Sequence, residues 1–298
     1  MAQAIASGIL TGGLYGIIAI GITLNWGMMR VINLAHFSFS FLAAYFTYQI
    51  TVDTGIDPFL TLFVTIPLFF IFGVALQWFF ETFEIEDFMS LLVTFGMFLI
   101  FESIMRERWT ADFRTLSSTE VAYKTEALRV LGLSLTVTRL AVFLVAIAIS
   151  LGIWIFLNRT YAGKALRAIS QDRAIASAYG VNHRQMALLL GGIAGASAAI
   201  AGAFIAVIFV LRPDGATDLI GFIFAVVILG GLGNTAGAFM AGIFIGVVQN
   251  VTGFTSLGPG FAPLITFLVL IFGLLLRPEG LFTGIDTWLA KMLSGRQT

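Results

Sequence analysis

Apolar residues run unbroken for roughly 15–25 positions at a time along this chain, and the breaks between runs are short and polar. Windows of about 20 residues place candidate spanning segments near 5–28, 36–52, 58–80, 89–105, 136–157, 185–211, 219–233, 235–252 and 261–276. Gly230, Gly231 and Gly233 interrupt the pair at 219–233 and 235–252. That pair reads as two short spans or as one span plus a re-entrant half-helix, so eight to ten spans are expected. A β-barrel would alternate apolar and polar positions in pieces of about ten residues, which this chain does not do. Helices remain as the spanning structure that satisfies its own backbone. The pattern predicts an all-α, polytopic transmembrane helical bundle.

Composition agrees. Hydrophobic residues make up 59% of the 298, charged residues 11%, and mean hydropathy is +0.99. A water-soluble fold of this size could not hide that much apolar surface, so the whole chain, 1–298, reads as one membrane domain. No Lys or Arg precedes Arg30, and the first apolar run exceeds the ~7–15 residues of a signal-peptide core, so it reads as a retained span. A formal net charge of zero excludes nucleic-acid binding driven by bulk charge. The absence of cysteine excludes disulfides and thiolate metal sites.

One stretch breaks the apolar pattern. From Asn158 to Arg184 the chain carries five basic residues, Arg159, Lys164, Arg167, Arg173 and Arg184, against Asp172 alone. The loop from Arg106 to Arg139 carries six basic and four acidic residues, and one span separates the two, so they lie on opposite faces. The positive-inside rule assigns the more basic island to the cytoplasm. Five spans precede it, which puts the N-terminus outside. The acidic turn Glu81, Glu84, Glu86 and Asp87 then falls inside, as does a tail with Arg277, Lys291 and Arg296 if the spans number nine.

Within the island, Ala165, Ile169, Asp172 and Ala176 fall at i, i+4, i+7 and i+11, which predicts one helix with a narrow small-residue face. Lys164, Arg167 and Gln171 project elsewhere, and Gly180 is placed to end the helix. A face without bulk can lie in a groove of another protein. The alternative, a helix resting on headgroups, needs a large apolar ridge, and only Leu166 and Ile169 would supply one.

Thirty-two glycines are many for helices, and several stand four apart: Gly8, Gly12 and Gly16; Gly191 and Gly195; Gly233 and Gly237; Gly242 and Gly246. Close backbone approach at small residues is what packs helices in lipid. Such faces serve static packing or, being smooth, sliding. Polar residues at membrane depth are the other candidates, because they face a bundle interior or a wet cavity. Asn33 and His36 lie one turn apart between two spans, where they cap helices or line a path. Gln249 and Asn250 end an otherwise apolar span. Glu102 stands four residues before Arg106, as an interfacial ion pair would; a deeply embedded Glu102 would instead suit an ion-coupled transporter.

Enzymatic constellations are missing. His36 and His183 are the two histidines and cannot form H-E-x-x-H, and no G-x-S-x-G elbow occurs. Gly163-Lys164 is the one Gly-Lys pair, but Ala165 follows it and Asn158 stands where a Walker A loop needs its first glycine. The tail Leu293-Ser294-Gly295-Arg296-Gln297 is like an ABC ATPase signature, with no Walker A to serve. No cofactor is expected in this chain.

The segments G-I-L-T-G-G-L-Y-G-I-I-A-I-G-I-T-L-N-W-G at 8–27, V-I-N-L-A-H at 31–36, G-K-A-L-R-A-I-S-Q-D-R-A-I-A-S-A-Y-G-V-N at 163–182, I-L-G-G-L-G-N-T-A-G-A-F-M-A-G at 228–242 and L-R-P-E-G-L-F at 276–282 together resemble the permease subunits of ABC importers for branched-chain amino acids. The resemblance covers nearly the whole length. It implies pairing with a second homologous permease, two cytoplasmic ATPase subunits that use the ATP, and an extracytoplasmic solute-binding protein. It implies that 163–180 is the ATPase-coupling segment, with Gly163, Ala165, Arg167, Ala168, Asp172, Ala176 and Gly180 at family positions. Leu34 stands where the family motif has an aromatic and Phe37 where it has a glycine. Relatives also carry other small solutes, such as urea, amides or aromatic acids.

Overall fold

In a computed structural model that describes residues 1–85, 87–116, 121, 127–130, 132–256 and 258–284, the chain forms eleven α-helices. Nine of them fall on the nine apolar windows: α1 (Ala2–Met29), α2 (Ala35–Thr54), α3 (Leu62–Thr82), α4 (Asp87–Trp109), α5 (Val137–Arg159), α8 (His183–Ile208), α9 (Gly215–Gly230), α10 (Thr235–Phe254) and α11 (Ala262–Leu276). The island supplies α6 (Tyr161–Gln171) and α7 (Arg173–Ala178). Among the described residues seven helical segments are long and apolar enough to cross a membrane, α11 being extended to 18 residues by the 3₁₀ turn at Pro259–Phe261. Of the nine helices on the apolar windows, the exceptions are α2, which carries Ser, Thr and Gln along its length, and α9. With 16 residues α9 spans only about 24 Å.

The glycine-interrupted pair resolves as two helices. The first begins and ends earlier than the expected 219–233: Gly231, at φ +89°, stops it, and the turn to Asn234 starts α10. Just before α9, Leu211 exchanges backbone hydrogen bonds with Arg114 at 2.7 and 2.9 Å. After α9, Gly233 lies against Gly27 at the far end of α1. The short helix therefore joins the two faces of the bundle.

Helices α1 and α8 form the centre, each 78% buried over its apolar window, whereas α4 and α11 are 22% and 11% buried and form the rim. Sequence explains the split. Glycine and alanine crowd α1 and α8, so their neighbours approach to backbone contact. The rim carries Leu, Ile and Phe outward, for example Phe88, Leu92, Leu275 and Leu276. With lipid as solvent there is no gain in burying large apolar side chains, and small residues take the interior. The four-spaced glycines are used in this way. Gly8 and Gly12 of α1 meet Gly242 and Gly246 of antiparallel α10, and Gly191 and Gly195 of α8 meet Gly73 of α3.

The Arg106–Arg139 loop holds an element that the helical pattern did not foresee. Strands β1 (Ala127–Val130) and β2 (Leu133–Thr136) pair antiparallel, with Ala127 opposite Thr136 and Val130 opposite Leu133. The Gln3 side chain clasps the Ser134 backbone in both directions, at 2.7 and 3.0 Å. The N-terminus and this hairpin thus share one face. The end of α1, the Glu81 turn, the island and the start of α10 share the other. Glu86, Lys124, Lys291, Arg296 and the 293–297 signature-like stretch lie outside the described residues.

Candidate coupling surface and polar interior

The island is two helices, not the single helix expected from its small-residue period. The Thr160 hydroxyl caps α6 by accepting the Gly163 N–H at 3.1 Å. At Asp172 the backbone turns extended (φ −154°, ψ 111°), and the Asp172 carboxylate accepts the Ile175 N–H at 2.9 Å to start α7. An N-cap aspartate competes with helix continuation, which is why an i+7 match did not make a helix face. Gly180, at φ +84°, closes α7 in the left-handed conformation that glycine adopts without strain.

The small-residue face points inward. Ala165, Leu166, Ile169 and Ala176 are buried in this chain's own bundle, and Gly163 lies against the backbone of Phe156 and Leu157 in the last turn of α5. A side chain at 163 would collide with that backbone. What the island offers outward is different: Ile175 is 59% and Tyr179 84% exposed, flanked by Asp172, Arg173 and Gly180, with Lys164 exposed and Arg167 and Ala168 partly so. Sequence reasoning passed over Ile175 and Tyr179. Their signal was there, two bulky residues four apart beside basic ones, but it was masked by reading Ala165–Ala176 as the face of one helix ended by Gly180.

The second polar feature lies between α1 and α2. Arg30 adopts a left-handed conformation (φ 57°) and ends α1, and residues 31–34 continue without helical hydrogen bonding into the bundle. Their backbone is held by α4. Ser90 Oγ accepts the Ile32 N–H at 3.1 Å, and Thr94 Oγ1 accepts the Leu34 N–H at 3.1 Å and lies 3.0 Å from the Ile32 carbonyl oxygen. Buried backbone without such partners would be costly, so two hydroxyls replace a helical turn here. Asn33 and His36 follow, 5% and 1% exposed. Asn33 Oδ1 and His36 Nε2 have no hydrogen-bond partner, and the same holds for Thr23 Oγ1 and Asn25 Oδ1 of α1 and for Gln249 Nε2 of α10. The imidazole occupies the space beside Gly21, together with the Ser197 hydroxyl of α8. Phe37 stacks on Phe224 of α9 with ring centroids 6.0 Å apart, anchoring the start of α2.

Gln249 and Asn250 do not join this cluster. Gln249 accepts a hydrogen bond from Tyr15 at 2.8 Å, tying α10 to α1, and the Asn250 amide donates to Gly246 O of its own helix at 3.0 Å. Both lie toward the N-terminal face, beyond Gly246. Three of the quoted segments, by contrast, meet at the island face. The Asn234 side chain caps α10 by accepting the Gly237 N–H at 2.7 Å and donates to Phe282 O at 3.1 Å. The Phe282 N–H bonds Leu229 O at 3.2 Å, and Gly27 abuts Gly233.

A family profile described as "Branched-chain amino acid transport system / permease component" matches residues 4–276, nearly every residue of this bundle. The chain belongs to that permease family. Its relatives include the "High-affinity branched-chain amino acid transport system permease protein BraD" of Pseudomonas aeruginosa, 23% identical, and the "High-affinity branched-chain amino acid transport system permease protein LivH" of Salmonella typhimurium, 25% identical. Each alignment covers 94% of this chain and 94% of the relative. A "Probable branched-chain amino acid transport permease protein LivH" of Methanocaldococcus jannaschii is 26% identical over 96% of this chain and 94% of its own length. No solved structure matches the chain.

The permease is thus a multi-pass membrane protein, and its remaining charges are placed accordingly. Glu102 forms the expected ion pair with Arg106, at 2.9 Å, about 10 Å from the end of α4 at Trp109. Arg212 pairs with Asp218 and Asp214 on the same face. Among the described residues no group of three or more His, Cys, Asp or Glu side chains could hold a metal ion.

Proposed function

We propose that this permease is the membrane subunit of an importer for branched-chain aliphatic amino acids, driven by ATP that separate cytoplasmic subunits hydrolyse. The observation that carries the reading is the outward pair of Ile175 on α7 and Tyr179 just past its end, at the face that the basic island assigns to the cytoplasm. A Tyr and an Ile standing free beside charged residues are what a docking surface needs. The transport systems named for the relatives supply the substrate class.

In this reading α7 is the handle that an ATPase grips, and α6 is the link to the bundle. Gly163 fastens α6 to the end of α5, and Leu166 and Ile169 pack it inside, so a push on α7 is carried to the helices rather than absorbed. The residues Gly163, Ala165, Ala176 and Gly180 act as fittings of that link, and Arg167, Ala168 and Asp172 stand at its outer edge. The unwound stretch before Asn33 and His36 lets α1 and α2 change angle, and its unpaired polar atoms face the solute path. Two such permeases, two ATPases and an external binding protein make the importer, and ATP binding selects between outward- and inward-open bundles.

The test is reconstitution with the ATPases and leucine uptake into proteoliposomes. Ile175→Asp and Tyr179→Asp are expected to lower ATPase retention at least tenfold, with membrane insertion unchanged. Full retention and full uptake in both variants would overturn the coupling reading.

A further inference from the structure

A cavity of about 410 Å³ opens on the island face where the ends of α1 and α3 meet the break between α6 and α7. Its lining is divided by chemistry. Arg30 and Arg173, and the acidic Asp172 and Glu81, are among its lining residues, with the Asp172 carboxylate also accepting the Ile175 N–H. Met28, Val31, Phe80, Ile85 and Ile169 contribute apolar lining. Glu81 is already held in place: its Oε1 lies 3.3 Å from His183 Nε2 and 3.4 Å from Gln77 Nε2. His183 Nδ1 is buried without a partner. Opposed charges beside apolar lining are the complement of one chemical class, a zwitterion with an aliphatic side chain. Guanidinium groups take a carboxylate in forked geometry, and carboxylates take an ammonium.

We propose that this cavity is a cytoplasmic-side binding site for a free aliphatic amino acid, distinct from the polar cluster at Asn33 and His36, and that its occupation restrains transport. The inference rests on the importer reading and adds a regulation to it. The restraint follows from position. Asp172 and Arg173 belong to the α6–α7 break, whereas Glu81 and His183 belong to α3 and α8. A ligand seated between them bridges the handle to the bundle and favours whichever state holds them at this spacing. A ligand shifts an equilibrium only through such differential contact. Accumulated product would then slow its own import.

The experiment uses the assembled importer in proteoliposomes, with external binding protein, luminal ATP and either an empty or an L-leucine-loaded lumen. Luminal leucine is expected to reduce uptake at least fivefold. Leucinamide, which lacks the carboxylate, and 4-methylpentanoate, which lacks the ammonium, are expected to leave it unchanged. Arg30→Gln and Glu81→Gln, each normalised to its own uptake with an empty lumen, are expected to raise the half-inhibitory leucine concentration about tenfold. Radiolabelled leucine binding to the permease–ATPase complex without the binding protein should fall in the same variants.

Uptake that ignores luminal leucine in the unaltered importer, or inhibition that persists at the same concentration in both variants, overturns the site. Arg30→Gln that slows uptake from an empty lumen while luminal leucine has no effect would mean that a partner side chain fills the cavity, which also overturns it. No ATP-driven leucine uptake under any condition sinks the importer reading instead, and the binding measurement then decides the site by itself.

Discussion

The Asp172 carboxylate accepts the Ile175 N–H at 2.9 Å, and this bond divides the basic island into two helices and sets Ile175 and Tyr179 outward. The contact needs an acceptor oxygen, not a charge. Asp172→Asn is therefore expected to import leucine within about twofold of the unaltered protein. Asp172→Ala loses roughly 1 kcal/mol of cap stabilisation and is expected to import about fivefold more slowly. Equal losses in both variants would show that the charge matters and the cap does not.

Gly12 and Gly246 stand where α1 and α10 touch backbone to backbone, and any side chain at either would meet the opposite helix. Gly12→Val should force the pair apart and destabilise the bundle by about 1–3 kcal/mol. Gly96 and Gly152 also lie inside helices but have open space around them. Gly→Ala at either of these is expected to be neutral or stabilising by up to about 1 kcal/mol. Thermal unfolding in detergent separates the two classes, and a neutral Gly12→Val would show that these helices are not held at this distance.

Thr94 holds the unwound peptide through Leu34 and Ile32. Thr94→Val keeps its shape but leaves the Leu34 N–H unpaired inside the bundle, at a cost of about 1–3 kcal/mol. Thr94→Ser retains the hydroxyl and is expected to behave as the parent. The chain has no cysteine, so Asn33→Cys can be labelled selectively. Labelling should accelerate when Thr94→Val is added and stay unchanged with Thr94→Ser.

Glu102 is engaged by Arg106 at 2.9 Å, about two turns before the end of α4. Glu102→Gln is expected to leave ATP-driven uptake within about twofold, because an i,i+4 pair whose arginine is 58% exposed contributes only a few tenths of a kcal/mol. Uptake in vesicles should need ATP and ignore a proton gradient. Uptake driven by the gradient alone and lost in Glu102→Gln would favour an ion-coupled transporter.

Much of this was legible in the chain. The nine apolar windows became nine helices, since a lipid-facing segment must satisfy its backbone within itself and leaves that fact in composition. The four-spaced glycines marked real contacts. The Glu102–Arg106 pair followed from spacing. The hairpin at Ala127–Thr136 was not read, because in a water-exposed loop of mixed charge no apolar run announces it.

Sequence by itself determined the solvent, the places of the apolar helical segments and the place of the basic island. These are written in neighbouring residues and need no knowledge of what packs on what. Tertiary structure alone decided which way the island faces. Ala165, Ile169 and Ala176 had the pattern of a docking face, and the bundle took them for its own packing, leaving Ile175 and Tyr179 to the outside. It alone decided that Asn33 and His36 are buried between α1 and α2 while Gln249 and Asn250 lie toward the N-terminal face, and that Arg30, Glu81 and Arg173, far apart in the chain, line one cavity. Periodicity tells which residues share a face of one helix; what that face meets depends on where distant helices pass.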